Sequence, residues 1–183
     1  MPKKEGFIKK FFRERARRGP ILKRLRNEFF RASSKIIDVP SLDGSLAEDI
    51  EGANENILIV SPFLKLNRVK QFLSIGAVKN ALKRGVKITV ITRPASGGYG
   101  GVGDPKEHRD AMETLQKNGV EVFEKEKLHF KAVIIDDGII YLGSINILSI
   151  MPIEFYPPDY MIRFESEGLV DEIMENILYS EIS

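Results

Sequence analysis

The chain has 183 residues, of which 43% are hydrophobic, 30% charged and 9% aromatic, so it is long enough for one sizeable core and is neither collagenous nor wholly disordered. It contains no Cys, which excludes disulfides, zinc–thiolate sites and a cysteine nucleophile, and it has no apolar run of about eighteen residues that would read as a membrane span. The formal net charge of +2 hides an asymmetry: residues 1–35 hold 13 Lys and Arg against 3 Glu, a net +10, leaving −8 on the other 148 residues. A cationic extension on an anionic body points to a polyanionic partner, nucleic acid or an acidic membrane surface.

In the extension, Phe7/Phe11, Ile8/Phe12 and Ile21/Leu25/Phe29 recur at a spacing of four, and Gly19-Pro20 separates the two sets. This predicts a basic helical extension over residues 1–37 made of two amphipathic helices, with Arg13, Arg17, Arg18, Lys23 and Arg24 as nucleic-acid-binding cations. Lys9, Lys10 and Arg13 interrupt its apolar residues, and it is neither acid-free nor Ser-rich. It therefore reads as part of a mature cytoplasmic protein with no integral membrane association, not as a targeting peptide.

The body, residues 38–183, begins with a connector from Asp38 to Ser45, with Ser45 or Asp43 capping a short helix over Leu46–Glu51. Asn56–Ser61 is an apolar run ended by Pro62, a buried strand. Val69–Leu82 has helical spacing and stops at Lys83-Arg84-Gly85. Val86–Thr92 is a second strand, Asp104–Lys117 a helix and Val120–Phe123 a third strand. His129–Asp136 and Gly138–Leu142 are two more, joined by the turn Asp136-Asp137-Gly138. Tyr160–Phe164 is a further strand and Leu169–Tyr179 a closing helix. Early alternation of strand and helix makes this an α/β domain, a mixed β-sheet flanked by helices.

Gly98-Tyr-Gly-Gly-Val-Gly103 formally matches a dinucleotide-binding fingerprint. However, Arg93-Pro94-Ala95-Ser96 separates the glycines from the preceding strand, and no strand ending in an acid follows at the required distance. It reads instead as a mobile loop at a substrate cleft, with Arg93 beside it as a nucleic-acid phosphate contact. Lys65, Asn67 and Arg68 occupy a similar place after the first strand of the body. His108 lies near the start of a charged helix and reads as a surface residue.

The chemistry concentrates in residues 129–146, His-Phe-Lys-Ala-Val-Ile-Ile-Asp-Asp-Gly-Ile-Ile-Tyr-Leu-Gly-Ser-Ile-Asn. On a strand, residues i and i+2 share a face, so His129 and Lys131 emerge together, as do Ser144 and Asn146 after the turn. An imidazole beside an ammonium suits a phosphodiester. The ring attacks phosphorus or protonates a leaving oxygen, and the ammonium neutralises a nonbridging oxygen as charge builds.

This pattern, His129-x-Lys131-x₄-Asp136 followed by Gly143-Ser144-x-Asn146, resembles the HKD motif of the phospholipase D superfamily. The resemblance in element order spans about residues 45–180 and leaves the basic extension outside. It implies a metal-independent phosphodiesterase with no cofactor, in which His129 is the nucleophile and forms a covalent phosphohistidine. Lys131 would clamp the phosphate, Ser144 and Asn146 would bind oxygens, and Asp136 would support the His ring. Asp159, before the Tyr160 strand, matches the position of a family acid, with Glu154 its competitor.

The family mechanism uses two His, whereas this chain has one such motif, and His108 has no Lys two residues on. The resemblance therefore implies a homodimer whose two His129 meet at a twofold axis, as in small single-motif nucleases of the superfamily. Nucleic acid, with DNA favoured, is the expected substrate, and a helicase or a restriction or repair module the expected kind of partner. Two other readings stay open: a non-catalytic nucleic-acid-binding module on the same scaffold, and a phospholipid phosphodiesterase.

Overall fold

The structure is a computed structural model, and it describes residues 34–96, 102–150 and 159–179. The extension up to residue 33, with Arg13, Arg17, Arg18, Lys23 and Arg24, lies outside the described residues, as do most of the glycine-rich loop and Glu154.

The elements run β1 (Ser34–Asp38), α1 (Val39–Glu51), β2 (Asn56–Val60), α2 (Leu66–Ser74), α3 (Gly76–Arg84), β3 (Lys87–Thr92), α4 (Pro105–Lys117), β4 (Glu121–Glu124), β5 (Ala132–Ile135), β6 (Ile139–Gly143), β7 (Tyr160–Glu165) and α5 (Glu167–Tyr179). Seven strands form one sheet in the order β1-β7-β6-β5-β2-β3-β4. Strands β2, β3 and β4 are parallel, and every other pairing is antiparallel, so the sheet is mixed, as expected. The chain enters this sheet at Ser34, so the last residues of the expected helical extension are extended and pair with β7.

Alternation along the strands sends side chains into two cores. Ile57, Ile59, Ile88, Val90, Val133, Ile135 and Tyr141 face the helices α1 to α4. Leu58, Val60, Ile91, Ala132, Ile134 and Ile140 face the other way, where Val170 and Met174 of α5 cover part of the sheet.

Two helices differ from the sequence reading. The connector is itself helical from Val39 onward, because the Asp38 carboxylate accepts the Ser41 N–H at 3.0 Å and Pro40 stands in the first turn. The expected helix over Val69–Leu82 is two helices, α2 and α3, because Ile75 between them takes an extended ψ of 128°. The stop at Gly85 is as expected: its φ of 84° is the left-handed cap that closes α3. Among the described residues no helix is long and apolar enough to cross a membrane.

Candidate active site

β5 pairs with β2 so that Ala132 faces Val60, which brings the residues before β5 to the carboxyl ends of the parallel strands β2 and β3. In an open α/β sheet this is where ligands bind. There His129, Phe130, Lys131, Gly143 and Ser144 line an open cleft of about 570 Å³. His129 and Lys131 stand just ahead of β5 rather than within it, yet the structure brings both into one cleft with Ser144. His129 is exposed, and the Lys131 ammonium turns back to donate to the His129 carbonyl at 2.7 Å. An ammonium has three N–H groups, so this bond orients Lys131 while leaving donors for an incoming anion. Partial burial lowers the Lys131 pKa first, the Arg93 guanidinium lowers it further, and the Asp159 carboxylate opposes both. Arg93 and Asp159 are therefore both within electrostatic reach of the clamp lysine.

Gly143 has a steric reason to be glycine. A Cβ there would lie 2.1 Å from the Tyr160 carbonyl oxygen and 2.8 Å from the Met161 Cα. β6 thus approaches β7 closely, and the Ser144 N–H donates to the Tyr160 carbonyl at 3.0 Å. The Tyr160 N–H in turn donates to Ser144 Oγ at 3.3 Å. These two bonds hold Ser144 at the cleft wall. Asn146 is not among the cleft-lining side chains. It is half-buried, its carbonyl accepts the Ser149 N–H at 2.8 Å, and its Oδ1 is buried with no hydrogen-bond partner among the described residues.

Asp136 is not placed where a role on the His129 ring needs it. It follows the far end of β5, and its carboxylate accepts the N–H groups of Asn54, Glu55 and Asn56 at 2.9, 2.9 and 3.0 Å. Its own N–H donates to the Asn56 carbonyl at 2.8 Å. Four residues of strand, about 13 Å, already separate Ala132 from Asp136. The carboxylate instead fastens the loop that leads into β2, and the Asp136 φ of 44° is tolerated by an Asp at this turn.

Arg93 directly follows the carboxyl end of β3. Its Nε donates to the Leu128 carbonyl, immediately before His129, at 2.6 Å, and its guanidinium carbon stands 4.8 Å from the centroid of the Phe63 ring. Of the residues after β2, Arg68 is a structural cation. It is 5% exposed, forms a bidentate pair with Asp43 and donates from Nε to the Ile147 carbonyl at 2.9 Å. Lys65 pairs with Glu107 at 2.9 Å.

His108 overturns its reading as a surface residue: it is fully buried. Its Nδ1 accepts the Leu64 N–H at 3.3 Å, and its Nε2 lies 3.0 Å from the Arg93 carbonyl and 3.3 Å from Thr92 Oγ1. An N–H on Nε2 satisfies this arrangement, and burial holds the ring pKa below its ordinary value against the opposing pull of the Arg93 carbonyl. The ring thereby joins the ends of β2 and β3 and fixes the backbone of Arg93. The signal was present in the sequence: His108, Ala111 and Leu115 share one helical face, and all three are buried.

A family model described as cardiolipin synthase, PLD-like domain, matches residues 46–149. A search of curated protein sequences found no match. Among solved structures, Nuc, a phospholipase D family member from Salmonella typhimurium, is similar with a TM-score of 0.59 and 18% identity, over 79% of this chain and 91% of that one. NucT from Helicobacter pylori is similar with a TM-score of 0.55 and 16% identity, over 81% of this chain and 97% of that one. Phosphatidylserine synthase from Haemophilus influenzae gives a TM-score of 0.52 and 15% identity, over 79% of this chain and 38% of that one. At these identities the likeness speaks to the fold.

Proposed function

This chain belongs to the phospholipase D superfamily, and we propose that it is a metal-independent phosphodiesterase that cleaves nucleic acid, DNA in preference, in an active site completed by a second copy of the chain. The observation that carries this reading is the meeting of His129, Lys131 and Ser144 in one open cleft at the carboxyl ends of the parallel strands.

In the proposed reaction an imidazole nitrogen of His129 attacks phosphorus, and a P–N bond forms as the bond to the leaving oxygen breaks. The leaving oxygen takes a proton from the imidazolium of His129 in the second copy. Water then attacks the phosphohistidine, giving up its proton to that same second imidazole and restoring both rings. Lys131 balances charge on a nonbridging oxygen, with Ser144 beside it as a hydrogen-bond donor. Arg93 binds a neighbouring phosphate, and Asp159 supports the Lys131 charge. Asp136 holds the loop before β2 and takes no part in the proton transfers.

The requirement for a second copy follows from the count of histidines. The chain has two, and the second, His108, is buried with both ring nitrogens engaged. The basic extension, net +10 over residues 1–35, supplies salt-dependent affinity for the polyanion. A helicase or restriction partner would deliver the substrate.

The test is cleavage of a labelled oligonucleotide in excess EDTA by wild-type chain and by His129→Asn, with sedimentation of both. Cleavage by a two-copy species that disappears in His129→Asn supports the reading. Salt-dependent binding without cleavage at any pH, unchanged in His129→Asn, replaces it with the binding-module reading.

A further inference from the structure

Four large apolar side chains are exposed among the described residues: Ile36 at 70%, Tyr160 at 45%, Ile162 at 40% and Phe130 at 36%. The sheet register puts them together. Ile36 faces Ile162, Ile162 faces Leu142, Leu142 faces Ala132 and Ala132 faces Val60, one continuous row across five strands. Tyr160 lies two residues before Ile162 on β7 and shares its face, and Phe130, just ahead of β5, lines the cleft. The helix α5 packs Val170 and Met174 on the same face, in one buried cluster with Ile134, Ile140, Ala132 and Val60, while Ile36, Ile162, Tyr160 and Phe130 stay exposed.

The two members of this patch nearest the cleft are both aromatic. Both adjoin Ser144: the Ser144 N–H donates to the Tyr160 carbonyl, and Phe130 lines the cleft together with Ser144. Phe130 lines the cleft itself, between His129 and Lys131 in the chain, and Tyr160 is tied to Ser144 through its N–H. Lys131 lines the cleft with Phe130, and Arg93 is close enough to perturb Lys131. A surface that alternates exposed rings with cations matches a chain that alternates flat bases with phosphates.

We infer that Phe130 and Tyr160 are base-stacking platforms flanking the scissile phosphate, and that single-stranded nucleic acid is the substrate this cleft selects. This rests on the phosphodiesterase reading and narrows it. With a phosphate on Lys131 and Ser144, the bases on its two sides fall over the two rings only if they are free to turn outward. In a duplex the base faces are stacked inside the helix and only sugar and phosphate reach the rings. The aliphatic members of the patch, Ile36 and Ile162, sit farther toward the sheet edge. The rings at the cleft therefore serve the substrate.

The test measures binding of a short single-stranded DNA and of a duplex of the same sequence at one fixed salt concentration. It uses the His129→Asn chain so that nothing is cleaved, alone and combined with Phe130→Ala, Phe130→Leu, Phe130→Tyr and Tyr160→Ala. Phe130→Leu keeps bulk without a π face and guards against a misfolded alanine variant. The single strand should bind at least about tenfold tighter than the duplex, since stacking is worth about 1–3 kcal/mol per base. Phe130→Ala, Phe130→Leu and Tyr160→Ala should each weaken single-strand binding about tenfold and leave the duplex unchanged, and Phe130→Tyr should bind normally. Equal losses on both substrates, or Phe130→Leu binding as tightly as Phe130, overturn the inference. So does a fall in sedimentation mass with single-strand affinity intact, which would give the patch to a second copy of the chain. Ring-dependent single-strand binding by a wild-type chain that never cleaves defeats the phosphodiesterase reading alone. Cleavage of both substrates, indifferent to Phe130→Ala, defeats this inference alone.

Discussion

Replacing Asp136 by alanine separates a structural carboxylate from a chemical one. The side chain accepts three backbone N–H groups at 2.9–3.0 Å, two at an exposed rim and one, that of Asn56, partly buried. Water takes over the exposed pair after truncation, so each is worth about 0.5 kcal/mol, while the partly buried Asn56 bond to a charged acceptor is worth about 1.5 kcal/mol. Alanine at a φ of 44° adds about 0.5–1 kcal/mol, because it lacks the tolerance of Asp for the left-handed region. The total is about 3 kcal/mol, or a fall of about 6–12 °C in melting temperature for a chain of this length. Urea denaturation followed by circular dichroism measures it, and Asp136→Gly should recover about 1 kcal/mol by relieving the backbone. Cleavage per folded molecule should stay within about twofold of wild type, because the carboxylate stands at the opposite end of β5 from His129. An unchanged denaturation midpoint with a hundredfold slower cleavage would refute this reasoning and return Asp136 to the chemistry.

Gly143→Ala would drive a Cβ to 2.1 Å from the Tyr160 carbonyl oxygen, and both clashing groups are backbone, so β6 and β7 must part. Denaturation should show a loss of more than about 3 kcal/mol, with Ser144 displaced; a wild-type midpoint contradicts the close approach. His108 is held neutral by burial in the folded chain, whereas the unfolded chain takes up its proton below about pH 6.5. Unfolding therefore binds a proton in the window below that value, and stability falls as the pH is lowered through it. His108→Gln should flatten this component of the stability–pH curve, and an unaltered slope would count against it. Arg93→Gln removes a positive charge that lowers the Lys131 pKa, so Lys131 should titrate higher by nuclear magnetic resonance, and a downward move would show that the two groups do not face each other.

The order of elements was legible because strand and helix periods differ and turn residues punctuate them. NILIVS before Pro62 and VKITVIT before Arg93 became β2 and β3, side by side and parallel. Boundaries were less legible where a cap decides them. Asp38 and Pro40 started α1 seven residues before its apolar run, and Ile75 broke a continuous periodicity through its ψ alone. At the site, His129, Lys131 and Ser144 were readable from spacing, although His129 and Lys131 precede the strand that spacing assumed. Asp136 was misjudged, because the three N–H groups it serves lie some eighty residues earlier in the chain. His108 was misjudged because a polar residue near the start of a charged helix reads as surface, and Arg68, set beside Arg93 as a candidate phosphate contact, is a structural cation. Both side chains find partners that sequence distance conceals, Leu64 and Arg93 for the ring, Asp43 and Ile147 for the guanidinium. Phe130 was passed over as a spacer between two polar residues.

The most direct measurement of the central claim is a rapid quench of the chain with a short oligonucleotide in EDTA, followed by peptide mass analysis under alkaline conditions that preserve phosphoramidates. The account predicts a nucleotide adduct on the imidazole of His129 that forms and decays at the rate of turnover. Turnover with His129 unmodified at every time point, or an adduct carried by another side chain, would contradict it.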